Sequence, residues 1–348
     1  MDQSTYDPCL LQSNEPFGVV GLQTDDTLFL ADDPFAEAEE REPHKAKFLA
    51  KEREQLTAET PLRFNGGLIR LVLDGITLTQ ERQCENLSTI GTKSATSTGS
   101  RGVTRTLTPK DQYIAQRARG AYIASVCQPE ASFDLSFAAQ VINPVENDAK
   151  ALNKRLEWQI NNPRRGLKFV KLDTSTLQLL VFTDASFANN KDLSSQMGYV
   201  IVLTDATKKA NVIHWSSVKC KRVTRSVLAS ELYGIAHGFD IGTAIKSTID
   251  KILQINLPLI LCTDSKSLYD CLVRLGTTQE KRLMIDVMCL RQAYERRLIT
   301  EVKWIDGEAN PADAMTKGKP CPALTQLVDT NRIDIEAIGW VERTGDMA

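Results

Sequence analysis

Four acidic residues stand where a lone carboxylate is an expensive choice. Asp184 closes the apolar run of "LLVFTDA", and Asp264 closes a second run of the same design in "LILCTDS". If both runs are central strands pointing the same way, the two carboxylates finish side by side at one edge of a sheet. Glu231 falls in a helical pattern, about 60° from the centre of the stripe Leu228, Leu232, Ile235 and Phe239, so it turns partly toward that sheet. An unpaired charge is strongly disfavoured there. Asp313 follows Asn310, Pro311 and Ala312, a helix-start pattern that puts it in the first turn of the last helix. Each acid alone also reads as an ordinary strand end, helix face or cap. Together at one point they would repel, and their pKa values would rise. Two divalent cations about 4 Å apart relieve that repulsion and can clamp an in-line displacement at phosphorus. Oxygen-only ligands favour Mg²⁺ or Mn²⁺ over zinc.

The elements that must position these residues are legible from residue 177 onward. "LQLLVFTD", "MGYVIVLT" and "NVIHWSS" read as three consecutive strands with short connections, an antiparallel meander. A long helix is expected over about 226–249, followed by the strand "PLILCTD", a short helix from Ser265 and a basic helix over about 279–297. The strand "EVKWID" and a helix opening at Pro311 complete the order βββαβαβα, an α/β domain with a mixed sheet.

Upstream, "FGVVGLQ" and "TLFLA" flank "TDD" as a hairpin, and "LIRLVLDGITLTQ" is a second hairpin turning at Asp74-Gly75. Between them lies a charged helical stretch interrupted near Pro43. Residues 88–108, rich in Ser, Thr and Gly, read as a flexible linker. Helices are expected at roughly 109–126, 132–141 and 145–161, packed as a bundle.

Composition sets broad limits. The chain has 348 residues, 42% hydrophobic and 25% charged, with a net charge of −2. It is long enough for two or three domains, and any basic surface must be local. Eight scattered cysteines show no CxxC pair and no metal spacing with the three histidines, which points to free thiols in a reducing compartment. No signal-peptide pattern or membrane-length apolar run is present, so the expected location is intracellular, in cytoplasm or nucleus, and not secreted.

"FTDASFA", "SVLASELYGIA", "LCTDSKSLYD" and "NPADAMTK" occur in order and resemble the four motif blocks of a ribonuclease H domain, in the form carried by copia-type LTR retrotransposons. The resemblance implies a ribonuclease H-like mixed sheet over about 171–325. It also implies Asp184, Glu231, Asp264 and Asp313 as the catalytic and metal-binding set for two Mg²⁺ or Mn²⁺ ions, and an RNA/DNA hybrid as substrate. "GLQTDDTLFLADD" resembles the hairpin that holds the paired aspartates of a polymerase palm, placing them at Asp25 and Asp26. "RARGAYIASVCQPEASFDLSFAAQ" and the segment after it resemble a reverse transcriptase thumb and connection. The implied organisation is a truncated palm remnant over 1–87, the linker 88–108, a helical thumb and connection over 109–170, the ribonuclease H-like domain 171–325 and a tail 326–348. A palm so truncated implies no DNA polymerisation by this chain alone, and a missing part of a polymerase polyprotein as a partner. Relatives carry a histidine on the loop before the last Asp. Here none follows His237, and Glu308 stands on that loop for proton transfer instead.

Basic residues cluster beside the expected site. "KCKRVTR" supplies Lys219, Lys221, Arg222 and Arg225, either a solvated loop or a phosphate contact that positions substrate without reading sequence. Lys281, Arg282, Arg291, Arg296 and Arg297 surround an apolar stripe, as a second backbone contact or simply a helix packed on the sheet. Ser186, Ser230 and Ser265 are small polar groups suited to the 2′-hydroxyls of a hybrid. Two further readings stay open: a catalytically inactive relic that folds and binds nucleic acid, and a transposase on the same fold. The second is disfavoured because Asp184, Asp264 and Asp313 do not end in the required glutamate.

Overall fold

A computed structural model describes residues 1–24, 26–48, 51–98, 104–274, 278 and 280–339. The acidic pattern of the sequence resolves onto one six-stranded mixed sheet. Its strands are β1 (Gln178–Ser186), β2 (Gln196–Thr204), β3 (Ala210–Lys219), β4 (Leu259–Thr263), β5 (Glu301–Ile305) and β6 (Ala337–Gly339). The spatial order is β3-β2-β1-β4-β5-β6. The first three strands form the expected antiparallel meander, because short turns can join only antiparallel neighbours. β4 pairs with β1 in parallel, with Thr183 opposite Thr263, so Asp184 and Asp264 leave the sheet at the same end.

Helices cover both faces. On one face α1 (Val227–Leu253), α2 (Lys266–Val273) and α3 (Met284–Glu295) pack Leu232, Ile235, Leu268, Leu283, Val287 and Leu290 over Leu179, Val181, Leu259 and Leu261. Ser226 caps α1, its hydroxyl accepting from Ala229 N. The helix lies close to β1 because Gly238 faces it: a Cβ there would stand 2.7 Å from Thr183 Cγ2. On the other face, α4 (Pro322–Thr330) buries Leu324, Leu327 and Val328 against Phe182, Val200 and Ile260.

The structure departs from the expected boundaries at several points. The helix read as opening at Pro311 is a 3-10 turn, Pro311–Met315, and α4 begins separately at Pro322. The described residues beyond 325, up to 339, are not a separate tail: α4 runs through that boundary, and β6 pairs with β5. The stretch 88–108 is not a free linker where it is described. Gln116 Oε1, Asn153 Oδ1 and Gln112 Oε1 accept the backbone N–H groups of Ser88, Ile90 and Gly91, and strands Ala95–Thr98 and Thr104–Leu107 pair as a hairpin. Side-chain amides of the neighbouring helices supply the partners that the Ser/Thr/Gly composition lacks.

The upstream chain forms two more sheets. One is antiparallel, from Asp2–Gln3, Leu10–Asn14, Phe17–Gln23 and Asp26–Ala31. The other has the order Leu167–Val170, Gly75–Thr79, Gly67–Val72, Leu62–Phe64, so the segment after the bundle returns to the hairpin at Asp74-Gly75. The bundle helices Pro109–Val126, Ser132–Ala139 and Glu146–Asn161 lie close to the expected ranges. They dock on β3 through Trp215, whose indole N–H donates to Ala124 O at 3.0 Å and Ser132 Oγ at 3.1 Å. No helix among the described residues is long and apolar enough to cross a membrane.

Candidate metal centre

Asp184 is 2% exposed at the end of β1, and Glu231 is 6% exposed in the first turns of α1. Asp264, directly after β4, is half-buried. Carboxylate oxygens of these three lie within 4.8 Å of one another, and no other acidic, histidine or cysteine group of this kind occurs among the described residues. Glu231 Oε2 is buried with no hydrogen-bond partner.

Asp313 stands apart from that triad. Its Oδ1 accepts from Lys317 Nζ, four residues on, at 2.6 Å, and the same ammonium stands 3.6 Å from Asp184 Oδ2. The Thr316 hydroxyl donates to Asp184 Oδ2. Asn310 anchors the turn: its Nδ2 donates to Thr183 O at 3.0 Å while its Oδ1 accepts Ala312 N at 3.1 Å. Gly198, paired opposite Asp184 on β2, leaves room for the turn. A Cβ at Gly198 would meet Met315 Cβ at 2.2 Å, closer than any real contact. Gly198→Ala must therefore push back the turn that carries Asp313, Thr316 and Lys317. Urea unfolding of that variant is expected to show a loss of about 1–3 kcal/mol. An unchanged midpoint would mean that the turn shifts freely.

Electrostatics follow from the geometry. Burial pushes the Asp184 carboxyl above its ordinary range, against the pull of Lys317 and the Thr316 hydrogen bond. Glu231 is raised more strongly, first by burial and then by the Asp184 and Asp264 charges. Asp264 is raised by burial and by Asp313. Burial works against the Lys317 ammonium, but Asp184 and Asp313 hold it above the usual lysine range. A cluster of oxygens held against their own ionisation, one of them lacking any partner, fits a hard divalent cation. Asp184, Glu231 and Asp264 have the geometry to hold one, with Asp313 on the flank.

The remaining predicted residues scatter in role. In the basic loop, Lys219 is ion-paired to Asp192, and Arg222 lies 3.3 Å from Asp286 and 4.8 Å over the Tyr233 ring. Lys221 and Arg225 are exposed. Arg291 donates to Cys271 O at 2.7 Å and ties α3 to α2, and the exposed Arg282 pairs with Glu280. Ser230 is fully buried with its hydroxyl spent on Val227 O, so it offers nothing to a ligand, and Ser265 caps α2. Ser186 Oγ is buried without a partner. Glu308 is exposed, next to Gly307, whose backbone lies against Asp264. Asp25 lies outside the described residues, and Asp26 is exposed. The sequence marks Asn310 as a cap, which it is, but not its bond to Thr183, nor the roles of Thr316 and Lys317, although both lie in "NPADAMTK" and the spacing from Asp313 to Lys317 is that of a local ion pair.

No family model matches the chain, and no curated protein matches it. Among solved structures it is similar to LC11 ribonuclease H1, isolated from compost by a metagenomic approach, at 17% identity over 44% of this chain and 96% of that one, with a TM-score of 0.32. A structure of LC11 ribonuclease H1 in complex with an RNA/DNA hybrid matches at 17% identity over 40% and 94%, TM-score 0.32. The prototype foamy virus protease–reverse transcriptase matches at 14% identity over 47% of this chain and 25% of that one, TM-score 0.23. The fold class is α/β, with a six-stranded mixed sheet flanked by helices.

Proposed function

We propose that the chain carries a metal-dependent ribonuclease H that cuts the RNA strand of RNA/DNA hybrids, joined to a segment of a reverse transcriptase of copia type. The observation that carries this reading is the convergence of Asp184, Glu231 and Asp264 within 4.8 Å, with Glu231 Oε2 buried and unpaired. Asp184, Glu231, Asp264 and Asp313 would hold two Mg²⁺ or Mn²⁺ ions. When bound, the cations supply positive charge at the reacting phosphate and lower the pKa of water.

The chain's own residues then have distinct tasks. Thr316 fixes the orientation of Asp184 through its hydroxyl. Asn310 holds the 311–317 turn to β1. Exposed Lys221 and Arg225 are placed to meet the substrate backbone, which positions it without reading sequence. The Glu308 carboxyl, or water, passes a proton to the leaving oxygen. A catalytically inactive relic that folds and binds nucleic acid is the second reading, and the observation in its favour is that Asp313 is held by Lys317 outside the triad.

The deciding experiment incubates the purified chain with an RNA/DNA hybrid labelled on the RNA strand, in Mg²⁺ or Mn²⁺ and in excess chelator. Single-stranded RNA and duplex DNA serve as controls. Cleavage of the hybrid RNA that stops with chelator is expected. Binding without cleavage would leave the relic reading, and equal cleavage of single-stranded RNA would sink the hybrid specificity.

A further inference from the structure

Lys317 is the one basic side chain seen to touch the acidic cluster among the described residues, and it joins the two parts that the triad geometry separates. Its ammonium lies 2.6 Å from Asp313 Oδ1 and 3.6 Å from Asp184 Oδ2. It is half-buried, so water screens these contacts only in part. Asp313 is missing from the triad while it is bound to this lysine. Asp184 Oδ2 also accepts the Thr316 hydroxyl, so that oxygen faces Lys317 and Thr316 together. Within the same cluster Glu231 Oε2 is buried without a hydrogen-bond partner. The cluster is thus unevenly compensated: the Lys317 ammonium is in contact with Asp313 and Asp184, while it reaches Glu231 only through space and Oε2 is left without a contact.

We propose that Lys317 is a resident counter-cation that competes with a divalent ion for the Asp313 side of the cluster. The first divalent ion then enters among Asp184, Glu231 and Asp264, and the site on the Asp313 side is filled only when Lys317 gives up its hold. This rests on the metal-dependent reading given above and adds an order of occupancy to it. The lysine is a positioning residue, acting through Asp313 and Asp184.

The test is Mn²⁺ binding to the full chain without nucleic acid, followed by calorimetry and by the electron paramagnetic resonance signal of free Mn²⁺. Lys317→Met removes one positive charge a few ångströms from the ligands, so the weaker of two binding events should tighten by about five- to tenfold. Lys317→Arg keeps the charge and should bind close to the parent. The Mg²⁺-induced rise in melting temperature should also be larger in Lys317→Met than in the parent. Should Lys317→Met fail to fold, Lys317→Gln keeps a donor to Asp313 without the charge and must show the same tightening. A lysine that only braces the turn would leave Mn²⁺ binding equal or weaker in both neutral variants, and that result overturns the inference. Tightening in the arginine variant as large as in the neutral ones overturns it too. If the parent shows no Mn²⁺ binding sensitive to Asp264→Asn, the metal-dependent reading itself fails, and this inference with it.

Discussion

Asp184→Asn and Asp264→Asn should each lower Mg²⁺-dependent cleavage of a hybrid by about a thousandfold or more, because each removes a charged ligand from the shared centre. These two lead because parallel pairing of β1 and β4 fixes them side by side, whatever the loops do. The loss should not come from unfolding. Asn is nearly isosteric with Asp, and in Asp184→Asn the amide oxygen can still accept the Thr316 hydroxyl. Removing one of several mutually repelling charges should also raise the metal-free melting temperature while weakening the response to Mg²⁺. Activity lost with stability gained is a combination that misfolding cannot produce. A parental cleavage rate in either variant would mean that the site lies elsewhere. A fall in metal-free stability in Asp184→Asn would mean that its charge is already matched by Lys317 and Thr316.

How far the site could be read from the sequence follows from which contacts are local. Asp184 and Asp264 were legible because each ends an uninterrupted apolar run, and such runs become buried strands whose ends are predictable. Glu231 was legible from helical phase, since 100° per residue fixes which side faces the sheet. The turn around Asp313 was not, because Asn-Pro-Ala-Asp starts a 3-10 turn as readily as an α-helix. The side-chain amide of Asn310 settles the matter by bonding to Thr183, 127 residues away in the chain. Long-range pairing hid other features too. The strand Leu167–Val170 joins the hairpin at Asp74-Gly75 across about ninety residues, and β6 completes the main sheet from a segment without strand-like patterning. The basic loop shows a third limit: composition revealed four cations but not that Asp192 and Asp286 answer two of them.

Stability of the metal-free chain should carry the signature of Glu231. Its carboxyl is pushed above the ordinary 4.5 by burial and by the Asp184 and Asp264 charges, and Asp184 is pushed above 3.8 mainly by burial. Between the unfolded and folded pKa values such a group binds more protons when folded than when unfolded. Its contribution to stability is therefore present below the unfolded value and lost as pH rises through the folded one. Other carboxylates oppose this: Asp192, held low by Lys219, and Asp148, held low by Lys191, stabilise the fold as pH rises. The raw melting curve mixes these signs, so the quantity to follow is the difference between Glu231→Gln and the parent in excess chelator. Near pH 4.5 both side chains are mostly neutral in the fold, and the two melting temperatures should lie close together. By pH 8 the parent bears the cost of burying or protonating Glu231 and the variant does not, so the variant should melt about 4–8 °C higher. Saturating Mg²⁺ should shrink or invert that gap, because the cation stabilises the ionised glutamate and not the amide. A difference that stays flat from pH 4.5 to 8 would show that Glu231 ionises freely, with water reaching Oε2, and the case for a cation held by Glu231 would fall.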